Sequence, residues 1–202
     1  MPWFLLLILT CLILSLFIRE KQPFTFLLPV FFATLLFIES LCYYFKVINK
    51  NNILIYNFWF PVEFAIYSFW VVSYLGNQGY KKIVIYCILF YLVTVGYIYM
   101  RASNLHKFNT ISFQLGVILL IPVLLLKLYE FINESAITHP FKNALFWLIS
   151  GLLISYLGSF FQFSVENYLQ ENHKDLLETL KFFNILLTES LYCCIIVYFI
   201  LS

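Results

Sequence analysis

Residues 53–75 read ILIYNFWFPVEFAIYSFWVVSYL, an apolar stretch interrupted near its middle by one acidic side chain, Glu63. The stretch is longer than the roughly 20 residues that an α-helix needs to cross a bilayer. A charged side chain at the centre of such a helix costs about 3 kcal/mol even on lenient insertion scales, so an acid there is a candidate functional residue. The stretch therefore predicts a membrane helix with a functional group at its centre.

The composition of the whole chain also indicates an integral membrane protein. Of its 202 residues, 63% are hydrophobic and only 11% are charged, whereas soluble domains carry about 25% charged residues. So few charged side chains cannot cover a surface that faces water on all sides. The net charge is +2 and the basic residues are scattered, which argues against a nucleic-acid partner.

Six further apolar segments accompany residues 53–75, and short polar connections separate them. The seven segments are residues 3–18, 23–45, 53–75, 83–100, 108–132, 141–165 and 176–201. They predict an all-α, polytopic membrane protein, a bundle of seven transmembrane helices forming one domain over residues 1–202. No connection is long enough for a soluble domain, so we expect a kinase or enzyme module to lie on another polypeptide.

The basic residues give only a small preference for one orientation. Six Lys and Arg residues fall in the odd-numbered connections and six in the even-numbered ones. Lys181 belongs inside the last segment, and leaving it out favours an outside N-terminus and a cytoplasmic C-terminus.

Two short patterns recur at corresponding places in the two halves of the chain. The second and sixth segments open with Pro-Phe, and the third and seventh carry Asn followed by Glu, at Asn57 and Glu63 and at Asn184 and Glu189. Together they fit a parallel repeat of two three-helix units joined by the fourth segment, a 3+1+3 arrangement used by some transporters. Chance similarity among apolar stretches is the alternative.

Polar residues of several segments fall in the same half of the predicted bundle. Alternate segments cross in opposite directions, so each residue has a depth relative to side B, the end that carries the connection 49–52. Acids and amides in lipid need partners or water, which predicts a polar ligand cavity open toward side B. Separate interhelical hydrogen bonds are the alternative. The predicted ligand-binding residues are Glu39, Tyr56, Asn57, Trp59, Glu63, Tyr67, Gln114, Gln162, Asn184, Thr188, Glu189 and Tyr192.

Helical spacing places an aromatic face around Glu63. At about 100° per residue, every Tyr and Trp of residues 53–75 falls within about 40° of Glu63. Pro61 has no N–H to bond the carbonyl of Asn57, which predicts a kink and a free backbone acceptor. This face is expected to line the ligand pocket or to pack inward.

Two later segments have faces with distinct chemistry. Small residues and one amide share a face of residues 141–165, namely Ala144, Gly151, Ser155, Gly158 and Gln162. Such a face predicts the close approach of a neighbouring helix. On residues 176–201, a polar stripe containing Lys181 and Tyr192, with Glu189 at its margin, is expected to face the bundle.

Several chemistries are excluded by position. The three histidines fall on opposite sides of the predicted bundle, so no three-His metal site can form, and no His reaches the core as a catalytic base. Lys181 lies too far from the midplane to hold a retinal. We therefore expect no enzymatic activity, no metal and no cofactor.

The seven segments, the block from Asn57 to Glu63, the Pro140-Phe141 opening and the block from Asn184 to Glu189 resemble the seven-helix membrane modules that accompany bacterial histidine kinases. This resemblance implies signal reception in a bacterial inner (cytoplasmic) membrane. We thus expect a receptor-like sensor that binds a small or lipidic ligand and signals through a separate protein. The alternatives are a small-solute or proton-coupled transporter that resembles the SWEET-type sugar carriers, and a structural or assembly subunit.

Overall fold

The computed structural model of the chain describes residues 3–18, 24–101, 107–133 and 139–202. These residues form an all-helical structure, which confirms the all-α part of the predicted fold class, and no strand occurs within those ranges. Its helices are α1 (Trp3–Ser15), α2 (Leu28–Val47), α3 (Ile53–Ser73), α4 (Gln78–Arg101), α5 (Thr110–Asn133), α6 (Ala144–Asn172) and α7 (Lys174–Leu201). Short 3-10 turns, Thr25–Leu27 and Pro140–Lys142, precede α2 and α6.

Five of these helices are long and apolar enough to cross a membrane. The five stretches are Thr25–Val47, Gln78–Arg101, Thr110–Asn133, Ala144–Val165 and Asp175–Leu201. The chain therefore has the character of a membrane protein. Helix α1 is apolar but shorter, and α3, although 21 residues long, is not among the five. Its polar and aromatic residues lower its hydropathy.

One predicted connection is helical. Residues 166–175, expected to be a polar loop, continue α6 as far as Asn172, and α7 begins at Lys174. Only His173, whose extended backbone (φ −145°, ψ 68°) ends one helix and precedes the next, separates them. Polarity alone does not end a helix, and the run contains neither Gly nor Pro before His173.

Contacts between aromatic side chains show which helix ends lie together at each end of the bundle. The ring of Phe60 near the start of α3 lies 5.4 Å from that of Phe113 in α5 and 5.7 Å from that of Phe163 in α6. At the opposite end, Tyr74 follows the end of α3 and Tyr198 lies near the end of α7, and their hydroxyls are hydrogen-bonded to each other. The starts of α3 and α5 thus lie with the second half of α6 at side B.

Helix α3 is the central helix of the bundle, and its closest neighbours are α5 and α4. Gly116 of α5 makes the close approach possible, because a Cβ there would lie 2.4 Å from the Phe64 ring. On its other sides α3 reaches α2, α6 and α7 through aromatic rings. Large side chains therefore fill the space around this helix from Trp59 to Trp70.

Helices α6 and α7 form the tightest pair in the fold. A Cβ at Gly151 would lie 2.6 Å from Cβ of Cys194, and one at Gly158 would lie 2.5 Å from Leu187. The small-residue face predicted for α6 is thus confirmed as the surface on which a neighbour packs. The first three helices pack differently, since α1 contacts α2 and α7 closely whereas α2 meets α3 through rings. The predicted 3+1+3 repeat stays a prediction.

Candidate functional site

Glu63 lies inside the bundle, where its carboxyl joins two helices. The side chain is buried, with 7% of its surface exposed, and its Oε1 accepts a hydrogen bond of 3.0 Å from the hydroxyl of Tyr156 in α6. Two further buried tyrosines, Tyr67 and Tyr192, interact electrostatically with Glu63. The prediction that Glu63 faces the interior is confirmed, and three helices contribute to its surroundings.

The aromatic face of α3 surrounds this acid with packed rings. The Phe31 ring of α2 lies 6.2 Å from that of Trp59 and 5.3 Å from that of Tyr67. The Tyr67 ring in turn lies 5.9 Å from that of Tyr156. Offset and edge-on ring pairs at these distances add about 0.5–1.5 kcal/mol each beyond the area that they bury. The predicted face is therefore a packed layer of rings.

Three polar atoms of this layer have no hydrogen-bond partner among the residues that the structure describes. They are Nε1 of Trp59, the hydroxyl of Tyr67 and Nε1 of Trp70. Both Tyr67 and Trp70 are fully buried, and Trp59 is 6% exposed. Since more than about 90% of buried polar groups in proteins are hydrogen-bonded, three such donors on one helix face are unusual.

Asn57, predicted to bind ligand, holds the residues just before α5 against α3. Its amide Nδ2 donates to the carbonyl of Lys107 over 2.9 Å, and its Oδ1 accepts from the N–H of Asn109 over 2.9 Å. Its backbone carbonyl, left without an N–H by Pro61, accepts from the hydroxyl of Tyr99. The free acceptor predicted beside Pro61 exists, and α4 supplies its donor.

The other predicted polar residues of side B form separate pairs between neighbouring helices. Tyr56 donates to Glu39 over 3.0 Å, joining α3 to α2, and Gln114 donates to Ser164 over 3.0 Å, joining α5 to α6. Asn184 accepts from Ser159, which joins α7 to α6. Gln162 is buried, and Thr188 donates within α7 to the carbonyl of Asn184.

These pairs match the alternative of separate interhelical hydrogen bonds. A shallow depression, too small to hold a water molecule, does lie at side B, but Asn57 is the one predicted ligand residue that lines it. The depression is lined by Asn57, Phe60, Pro61, Tyr99, Phe108, Asn109, Ser112 and Phe113. The structure thus does not bring the predicted residues together around one polar cavity.

Helix α7 is rotated relative to the expectation. Tyr192 is buried, with 3% exposed, but Lys181 is exposed and Glu189 is only half-buried. Glu189 shares its stripe with the exposed side chains of Phe182 and Ile185, and no hydrogen bond joins it to any residue within the described ranges. The expectation that this polar stripe faces the bundle was therefore wrong for Lys181, and Glu189 does not join the group around Glu63.

Two features of the core were missed by the sequence reasoning. Tyr156 follows Ser155 of the small-residue face by one position, and its role depends on a partner in α3. Lys127 is buried in α5, with 5% exposed, and its Nζ lies 3.3 Å from Oε2 of Glu130. Glu130 also accepts from the N–H groups of Gly76 and Asn77, which fixes the connection ahead of α4. The Lys-x-x-Glu spacing was the available signal.

The chemistry available at the site is hydrogen bonding and ring stacking. Over the described ranges, no three His, Cys, Asp or Glu side chains come together as ligands of a metal ion. Comparisons of the chain with protein-family models, with curated proteins and with solved structures find no match.

Proposed function

We propose that this chain is a receptor-like protein of a bacterial cytoplasmic membrane, with seven spans, an outside N-terminus and a cytoplasmic C-terminus. It binds a small or lipidic ligand in the core around Glu63 and passes the change to a separate signalling protein. The observation that carries the proposal is the presence of three buried, unpartnered polar groups on the aromatic face of α3, those of Trp59, Tyr67 and Trp70, beside the Glu63–Tyr156 hydrogen bond.

Ligand binding would remove an energetic deficit in this core. A buried donor without a partner costs about 1–3 kcal/mol, so three of them cost several kcal/mol that apolar residues of the same shape would not. Packing alone does not require the polar atoms of these three side chains. A ligand that hydrogen-bonds to them restores the missing interactions, which is why we assign the site to binding.

The arrangement favours a receptor over a carrier. Rings fill the space between α3 and its neighbours α2, α6 and α7, and the polar pairs of side B do not line a continuous route. A ligand that enters must displace rings next to Tyr156, the residue through which α3 holds α6. Because α6 packs tightly on α7, a shift at Tyr156 would move both helices as one body and could be read by a partner.

Native mass spectrometry of the protein purified from its own membranes tests for a bound molecule. We expect the wild-type protein to retain an adduct of one defined mass after delipidation. The double variant Trp59→Phe, Tyr67→Phe keeps the rings and loses two donors, so it should release the adduct. Glu189→Gln, which changes an acid outside the core, is the matched control and should retain it. Bare protein in all three samples would contradict the proposal.

A flux measurement separates the receptor from the transporter. The molecule extracted from the wild-type adduct is loaded into proteoliposomes, and its exit is followed with and without a pH gradient. A receptor gives the same exit rate as liposomes without protein. Exit that depends on the protein and is lost in the Trp59→Phe, Tyr67→Phe variant would identify a carrier.

A further inference from the structure

We infer that the ligand of this core is an uncharged, elongated apolar molecule whose polar groups are carbonyl oxygens. The inference rests on the proposed function and names the chemical class that the site takes. It follows from three properties of the site, namely which hydrogen-bonding groups lack partners, how far apart they lie and which charges face them.

The unpartnered groups form a set of donors. An indole Nε1–H can only donate, and a tyrosine hydroxyl with no donor beside it can also do so. Trp59 and Trp70 therefore each require an acceptor, and one acceptor suits Tyr67 as well. Among the residues within the described ranges, none supplies it. A ligand that satisfies this face must carry acceptor atoms.

The spacing of the donors calls for an elongated molecule. Trp59 and Trp70 are eleven positions apart on α3, which corresponds to about 16 Å along the helix axis. A compact ligand cannot reach both indoles. Between and beyond them the walls are rings: Phe31 lies beside Trp59 and Tyr67, and the Tyr198 ring lies 5.2 Å from that of Trp70. The body of the ligand must therefore be apolar.

The titratable groups near the site disfavour both an anion and a cation. Those that interact with Tyr67 include two acids, Glu63 and Glu39, and no base. An anionic ligand would therefore meet no compensating positive charge there. A cation would be attracted by Glu63, but it would face the positive ends of two indole N–H groups and leave them unpaired. An uncharged acceptor is the class that fits both the donors and the acids.

The test uses the indoles themselves as reporters. The chain has four Trp residues, and Trp3 and Trp147 lie outside the site, so the double variant Trp3→Phe, Trp147→Phe leaves only Trp59 and Trp70. This protein is placed in nanodiscs of ether-linked phosphatidylcholine, a lipid that contains no carbonyl group. The indole N–H hydrogen-bond marker of the ultraviolet resonance Raman spectrum is then recorded as each probe is added.

The probes share an alkyl chain and differ in their polar groups. They are a linear saturated diketone whose carbonyls are about 16 Å apart when extended, hexadecyltrimethylammonium and palmitate. We expect the diketone alone to shift the N–H marker to its hydrogen-bonded position. A shift with ester-linked phosphatidylcholine and no probe would also support the inference, with the bilayer lipid as the source of the carbonyl.

Single hydroxyl deletions check that the shift comes from the site. Adding Tyr67→Phe to the reporter variant should weaken diketone binding by roughly tenfold, the value of one hydrogen bond. Adding Tyr129→Phe, which alters an exposed ring of α5, should leave it unchanged. Equal binding in all three proteins would overturn the inference, because the diketone would then be bound elsewhere.

The remaining outcomes separate the two proposals. A marker that responds to hexadecyltrimethylammonium or palmitate and not to the diketone overturns the chemical class but leaves a ligand site in place. No response to any probe, together with an adduct in native mass spectrometry, also overturns the carbonyl class. No response and no adduct would overturn both the class and the proposed function.

Discussion

The hydroxyl of Tyr99 donates a hydrogen bond to the backbone carbonyl of Asn57, the acceptor that Pro61 leaves without its N–H partner. A proline inside a helix removes one hydrogen bond and pushes away the carbonyl four residues before it. In this fold the resulting free acceptor joins α3 to α4. The carbonyl that Pro61 frees is thus part of how the helices are held together.

Replacing Tyr99 by Phe should destabilise the protein by about 1–3 kcal/mol, because it leaves the carbonyl of Asn57 buried without a donor. Unfolding by denaturant in mixed micelles measures the loss. Tyr97→Phe, at an exposed ring of the same helix, serves as the control and should change stability little. If the two variants were equally stable, the hydrogen bond of Tyr99 would contribute nothing.

Gly116 should tolerate no side chain. Its Cβ would lie 2.4 Å from Cδ2 of Phe64, a ring that is itself fully buried, so Gly116→Ala should cost about 1–3 kcal/mol through overpacking. At Gly96 in α4 an added Cβ meets nothing within 4 Å. There the same substitution should be neutral or stabilising by up to about 1 kcal/mol, since Ala favours helix over Gly.

The midpoint of thermal unfolding in one detergent compares these two variants directly. A lower midpoint for Gly116→Ala and an unchanged or higher one for Gly96→Ala is the expected result. A fall of equal size in both variants would show that helix α5 does not approach α3 as closely as described.

The two glycines of α6 should differ in sensitivity. At Gly151 the added Cβ meets Cβ of Cys194, an atom fixed to the backbone of α7, whereas at Gly158 it meets the end of the flexible Leu187 side chain. We therefore expect Gly151→Ala to lower stability more than Gly158→Ala. Thermal unfolding of the two single variants decides the order, and the reverse order would contradict the described register of α6 against α7.

Cysteine labelling tests the arrangement of the ends in a membrane. In a background without the native cysteines, Asn51→Cys and His173→Cys should react with a membrane-impermeant maleimide from the same side. Gln78→Cys, at the start of α4, should react from the opposite side. If Asn51→Cys and His173→Cys were labelled from different sides, the two residues could not both lie at side B. The depths assigned to the polar residues would then be wrong.

The sequence predicted the helices and the position of Glu63 because both follow from local patterns. Apolar length identifies a helix, and periodicity places an acid among aromatic residues on one face. The end of α6 was not predictable in this way, since polar residues occur in exposed helices as readily as in loops. Its actual end at His173 depends on backbone geometry that composition does not encode.

Partners far apart in the chain were beyond the reach of these patterns. Tyr156 lies 93 positions after Glu63, and Lys107 lies 50 positions after Asn57. Periodicity gives the angles between residues of one helix but not which stripe faces a neighbour. That is why Tyr192 was correctly expected inside while Lys181, on the same predicted stripe, is exposed.

Helix α3 is the most central helix of the bundle, yet it is not among the five that are apolar enough to cross a membrane on their own. During synthesis Tyr156, the residue that donates to its acid within the described ranges, emerges 93 residues later, after about 5–20 s at ordinary rates of translation. Over that interval we expect α3 to stay beside the insertion machinery or to return to it. The order of synthesis thus becomes a constraint on biogenesis. Variants with a longer interval between the synthesis of Glu63 and that of Tyr156 should be degraded before they are assembled.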